Sequence, residues 1–245
     1  MQLNGLSFLN TVDRSAVLVE KSVYAVSFLS LVSKYRAEWD MQTILVLGSW
    51  SSGTTAVTGY IQRLGAYSCP PHWLLNDPRT PDTYESVEFR EILIKCINEH
   101  SFTPSIPEHT KVFKDFIRAW FPAKQAEAKA IGVQAIVLKN PLAAFFLNEI
   151  NEICSPKYLL VTRGLKDIEN TRFRRRWVPT YGQQGAKVIY SVIFDTLIKI
   201  EKSFHAISYY DFLYSESERG KMREYLAIKA ADNYVDRAEG WIRHD

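Results

Sequence analysis

Cysteine is scarce in this chain of 245 residues: only Cys69, Cys96 and Cys154 are present, far apart. An odd number at such separations gives neither a disulfide framework nor the spacing of a metal site. They read as reduced, small apolar side chains, which suits the cytoplasm. Charge of one sign is nearly absent as well. Thirty Lys and Arg against 27 Asp and Glu leave a net +3, too little to argue for nucleic acid or a membrane surface as a partner. Long uninterrupted apolar runs are also missing. The most apolar stretch, residues 16–32, is broken by Glu20 and Lys21 and reads as a packed helix rather than a membrane span. No signal peptide, internal repeat, low-complexity tract or linker is visible.

What is there is core material. A hydrophobic share of 47 % supports a large core and argues against disorder. Length and pattern predict one α/β domain over residues 1–245, with residues 1–40 as an N-terminal helical cap. Short apolar strands are expected at residues 43–47, 134–138, 158–162 and 206–209. Between them lie helical patterns, one carrying Phe89, Ile92, Leu93 and Cys96, another centred on residues 187–203. Strands alternating with helices argue for a central parallel sheet flanked by helices on both faces. The stretch CPPHWLLNDPRTPD, with four prolines between Cys69 and Asp82, predicts an irregular loop.

The segment TILVLGSWSSGTTAVTGYI, residues 43–61, carries the most chemistry. It reads as a buried strand, a tight Gly/Ser loop and a helix opening at Gly53-Thr54-Thr55. That arrangement aims a helix N-terminus and several backbone N–H groups at one spot, a setting for phosphate or sulfate. The spacing from Gly48 to Gly53 nearly matches the Walker loop, but Thr54 stands where that loop has the Lys that reaches the β- and γ-phosphates. In parallel sheets, ligands bind beyond the C-terminal strand ends. The groups that follow three strands are residues 49–55, Lys139 and Arg163, which are expected to converge.

Two phosphate-type elements, GSWSSGTT at 48–55 and YLLVTRGLKDIENTRFRR at 158–175, stand in order with TYESVEF (83–89), VLKNP (137–141) and ISYYDFL (207–213). Together they make the chain resemble sulfotransferases of the bacterial kind, which use 3′-phosphoadenosine-5′-phosphosulfate (PAPS). The resemblance spans residues 43–213. It implies a three-layer P-loop-like α/β fold, with PAPS as co-substrate, no metal, and a small-molecule or carbohydrate hydroxyl as acceptor. It also implies that Ser51, Ser52, Gly53, Thr54 and Thr55 hold the 5′-phosphosulfate. Arg163, at a strand end, and Thr171, eight positions later, would hold the 3′-phosphate.

The family usually has Arg or Lys where this chain has Ser51. Loss of one such donor costs a factor of about 10²–10³ in rate, and Lys139 is the best substitute. Glu85 and His72 are the candidate bases for the acceptor proton; imidazole titrates near ~6.5, and Glu85 matches the family's Tyr-Glu segment. Each has a plainer reading: Glu85 as a helix N-terminal charge, His72 as an ordinary loop histidine, Lys139 as a strand-end lysine facing water, Arg163 as one partner of a surface salt bridge. Trp73, Trp120 and Trp177 fall near the expected crevice. Competing functions are a P-loop nucleotide kinase or NTPase, and a catalytically impaired nucleotide-binding protein motivated by Ser51.

Overall fold

The computed structural model describes residues 41–228 and 230–242, and these belong to one compact unit that begins at Met41. The expected cap over residues 1–40 lies outside the described residues. In chain order the elements are β1 (Gln42–Leu47), α1 (Thr54–Arg63), β2 (His72–Leu74), β3 (Asp82–Ser86), α2 (Val87–Cys96) and α3 (His109–Ala130). They continue with β4 (Ala135–Lys139), α4 (Leu147–Cys154), β5 (Lys157–Thr162), α5 (Leu165–Arg175) and α6 (Gln183–Lys199). The chain then closes with β6 (Phe204–Ser208), α7 (Tyr209–Tyr214), α8 (Glu216–Leu226) and α9 (Asp232–Glu239).

The fold is α/β. β4, β1, β5 and β6 form a four-stranded sheet in that order, all parallel. Side chains alternate across the pleat. Leu45 and Leu47 enter one core with Ile136, Leu138, Tyr158 and Leu160, whereas Ile44 and Val46 enter the other with Val137, Leu159 and Val161. Strands apolar on both faces need helices on both faces, since each fully buried Ile or Leu contributes about 1.5–3 kcal/mol. α2, α3, α4 and α6 supply the first core, through residues such as Phe89, Phe113, Ile150 and Ile193. α1, α8 and α9 supply the second, through Val57, Ile61, Met222 and Ala238.

Strand positions match the expected ones to within two residues, with small differences elsewhere. The Pro-rich stretch expected to be irregular contains β2, which pairs antiparallel with β3 from His72↔Ser86 to Leu74↔Asp82. Its prolines lie outside the paired residues of β2, so they punctuate the hairpin without removing its ladder donors. The helix expected near residues 187–203 runs earlier, because Pro179 opens a 3₁₀ turn and α6 starts at Gln183. After Asn140 the chain first makes a 3₁₀ segment, Pro141–Phe146, capped by the Asn140 side chain accepting from the Leu142 N–H at 2.9 Å.

β1 is flanked by β4 on one side and β5 on the other, although the chain reaches β4 only after α1, the hairpin and two helices. Strand order therefore reverses at β1. Such a switch point opens a crevice at the C-terminal strand ends.

Candidate functional site

The loop after β1 is shaped by positive φ angles at Ser51 (63°) and Gly53 (99°). Ser52 ties it into a closed turn: its hydroxyl donates to the Ser49 carbonyl at 2.7 Å, and its amide to the same oxygen at 3.3 Å. The first helical bond of α1 runs from the Val57 N–H to Gly53 O at 3.2 Å. The N–H groups of Thr54, Thr55 and Ala56 thus precede the ladder and face outward as orphan donors, at the positive end of the helix dipole. Gly53 is required twice over. Its φ is left-handed, and a Cβ there would sit 2.1 Å from Cδ2 of Tyr209.

Tyr209 follows β6 and links the loop to the next group. The guanidinium of Arg163, the first residue past β5, lies 4.8 Å from the centroid of the Tyr209 ring. Its Nη1 donates to the Ser51 carbonyl at 3.1 Å and to Thr171 Oγ1 at 3.3 Å. Thr171, on α5, donates its own proton back to the Asp167 carbonyl at 2.9 Å. Arg163, Thr171 and residues 51–55, far apart in sequence, therefore form one contiguous surface.

Lys139, the last residue of β4, enters from the other side. Its Nζ donates to Thr55 Oγ1 at 3.2 Å, to the Thr83 carbonyl at 3.4 Å and to Glu85 Oε1 at 2.5 Å. Glu85 Oε2 accepts from Asn140 Nδ2 at 2.8 Å, with Arg90 Nε 4.0 Å away. Both partners are buried, the side chains of Lys139 and Glu85 being 5 % and 9 % exposed. An ammonium held this way is a fixed positive charge beside the loop rather than a solvated strand-end lysine. The carboxylate holding it has both oxygens occupied.

These groups line a cavity of about 630 Å³ whose wall carries seven basic side chains (Lys139 and six arginines) against three acidic ones. Such a wall attracts anions. Part of it is a closed strap. Asp77, in the loop between β2 and β3, accepts from Arg174 at 3.3 Å and from Arg175 Nε at 2.7 Å, while Arg175 Nη2 donates to Thr80 at 2.9 Å. Trp73 and Trp177 line the cavity, but Trp120 does not. Trp120 stacks on Phe89 in the core and donates its indole N–H to Glu88 at 2.6 Å.

His72 is also placed elsewhere. Its Nδ1 meets Asp82 Oδ2 at 2.9 Å and its Nε2 the Ser68 hydroxyl at 2.9 Å, and it is not among the residues lining the cavity. With both nitrogens engaged, it fastens the hairpin and has no lone pair to offer an acceptor hydroxyl. Glu85 is likewise corrected from base candidate to counter-ion, because Lys139 and Asn140 take its two oxygens. Sequence reasoning missed Trp50, Arg90, Glu99, Tyr181 and Tyr209, all lining the cavity. Trp50 and Tyr209 stand inside segments that had been singled out. Arg90, Glu99 and Tyr181 carry no motif, and only packing brings them together.

The three cysteines are free thiols, and burial pushes those of Cys69 and Cys154 up to about 12, which makes them poor nucleophiles. Among the described residues, no group of three His, Cys, Asp or Glu is arranged to hold a metal ion, and no helix is long and apolar enough to cross a membrane. Compared with known proteins, the chain matches no family model and no curated protein.

Proposed function

We propose that the protein is a sulfotransferase, moving a sulfuryl group from PAPS to a hydroxyl acceptor, and that its fold is a three-layer P-loop-like one. One observation carries this reading: Arg163 bonds at once to the Ser51 carbonyl and to Thr171. A cradle for a terminal anion and a guanidinium–hydroxyl pair for a second phosphate thus adjoin within a single cavity. The donor set fits such a ligand. Orphan N–H groups at a helix N-terminus, a buried ammonium and a strand-end guanidinium all favour dianionic oxygens. The Ser51 hydroxyl oxygen is buried without a partner, a polar atom that the loop itself leaves unsatisfied. In this reading Ser52 to Thr55 hold the phosphosulfate, and Arg163 and Thr171 hold the 3′-phosphate. Lys139 supplies the cation missing at Ser51, and Glu85 positions Lys139. PAPS supplies an activated sulfuryl group with a phosphate as leaving group.

A specific contact weighs against the kinase or NTPase alternative. In Walker loops the hydroxyl residue after the Lys ligates Mg²⁺. The residue so placed here is Thr55, and its hydroxyl already accepts from the Lys139 ammonium. A divalent cation there would meet a fixed positive charge.

The test is calorimetric titration with 3′-phosphoadenosine 5′-phosphate (PAP) against AMP. PAP is expected to bind at least tenfold more tightly than AMP, and Arg163→Ala to abolish that preference. Equal affinity for the two nucleotides refutes the 3′-phosphate assignment. Mg²⁺-dependent turnover of ATP would favour the alternative.

A further inference from the structure

Beyond the donor cradle, the cavity has a wall of rings. Trp50, from the loop itself, packs on Tyr181 with centroids 4.8 Å apart. Arg90 lies 4.6 Å from the centroid of the Trp73 ring. Both pairs line the same cavity, together with Glu99 from the turn after α2.

Three acids line the cavity, and two of them are committed. Asp82 accepts from the Tyr84 N–H at 2.7 Å and meets His72 at 2.9 Å. Glu85 is held by Lys139 and Asn140. Glu99 differs from Glu85 in being more open, its side chain 24 % exposed against 9 %. Arg90 Nη2 donates to it over 3.3 Å, and the Tyr181 phenol is near enough to feel its charge. Burial and then the charge of Glu99 push that phenol up, so Tyr181 stays neutral. A carboxylate with one long bond and an open face has lone pairs left for a ligand.

Alternating charge also ties Glu99 to the donor loop. Thr55 touches Lys139, Lys139 pairs with Glu85, Arg90 stands 4.0 Å from Glu85, and Arg90 reaches Glu99. Such a chain fixes the distance between carboxylate and loop more firmly than an isolated side chain would.

We infer that Glu99 is the acceptor-side base, taking the proton of a hydroxyl borne on a flat-faced ring that lies against Trp50 and Tyr181. This rests on the sulfotransferase reading and names the acceptor class for it. As the acceptor oxygen forms its bond to sulfur, the bond between sulfur and the bridging phosphate oxygen breaks and its electron pair stays with the phosphate. The hydroxyl proton passes to Glu99, and atoms and charge balance. A ring is favoured over a flexible chain because the packed pair of Trp50 and Tyr181 lines the same cavity as the carboxylate.

The experiment uses the full chain with radiolabelled PAPS and two acceptor probes, 4-nitrophenol and methyl β-glucoside, on the wild type and Glu99→Gln. PAP titration of each protein serves as the check of folding. The expected result is transfer to at least one probe by the wild type, and a kcat lower by about 10²–10⁴ in Glu99→Gln with PAP affinity within twofold. A KM that rises while kcat is kept would make Glu99 a binding group only and overturn the base assignment, as would transfer within threefold of wild type. Wild-type protein that binds PAP but modifies neither probe overturns the ring-hydroxyl class. Failure of the wild type to bind PAP sinks the donor reading instead.

Discussion

Deleting the Glu85 carboxylate strands the Lys139 ammonium in a site where its side chain is only 5 % exposed. At 2.5 Å, with an effective dielectric of about 20, the Coulombic attraction of the pair is roughly 6–7 kcal/mol. Desolvation of both ions offsets much of that in the intact protein. It is not recovered when one ion goes, so breaking a buried pair costs about 3–5 kcal/mol. At about 2–4 °C per kcal/mol for a domain of this size, Glu85→Ala should lower Tm by roughly 6–20 °C. Glu85→Gln, which keeps hydrogen-bonding atoms toward Lys139 and Asn140, should fall between. The double variant Glu85→Leu/Lys139→Met leaves no stranded charge and should regain most of the loss. Thermal unfolding followed by circular dichroism reads all three. A Glu85→Ala protein melting within about 2 °C of wild type refutes the reasoning, as does a double variant no more stable than the single.

On the proposed reading, replacing Lys139 with Met should cut sulfuryl transfer by about 10²–10³, whereas Ser51→Arg should raise it less than tenfold, because Lys139 would already fill the place of the loop cation. A large gain with Ser51→Arg would show that Lys139 does not stand in. Gly53→Ala forces a side chain into a left-handed conformation, at a cost of about 1–3 kcal/mol, and into the Tyr209 ring 2.1 Å away. Calorimetry should find PAP affinity reduced at least tenfold, and unchanged affinity would mean the ring is free to move. Burial alone pushes the Asp77 carboxyl up, but hydrogen bonds from Arg174, the Arg79 amide and Arg175 outweigh it and hold it below its ordinary value of 3.8. A depressed native pKa means stability present above the unfolded value and lost as pH falls through the native one. Asp77→Asn should therefore destabilise the protein at neutral pH and converge on wild type in strong acid; a constant difference across that range would contradict it.

Periodicity placed the sheet because its cause is local. Ile44 to Leu47, Ile136 to Leu138 and Leu159 to Val161 are apolar on both faces, and only a covered parallel strand buries both. The loop at 48–55 was legible for a similar reason, since glycine spacing and a following helix are written in consecutive residues. The outcome for single side chains was different. Lys139, Glu85 and Asn140 sit up to 55 positions apart, and whether a lysine at a strand end meets water or a buried carboxylate depends on what the β2–β3 hairpin brings over it. His72 looked available until Asp82 and Ser68 took its nitrogens. Glu99, Arg90 and Tyr181 carry no signature at all, because a cavity wall assembled from a helix, a turn and a 3₁₀ segment leaves no spacing to read. Sequence alone determined the four strands of the parallel sheet and the loop after β1, through backbone preference and apolar period, but not the β2–β3 hairpin. Tertiary packing decided which charges pair and which remain available, because burial and partner distance are properties of the folded chain.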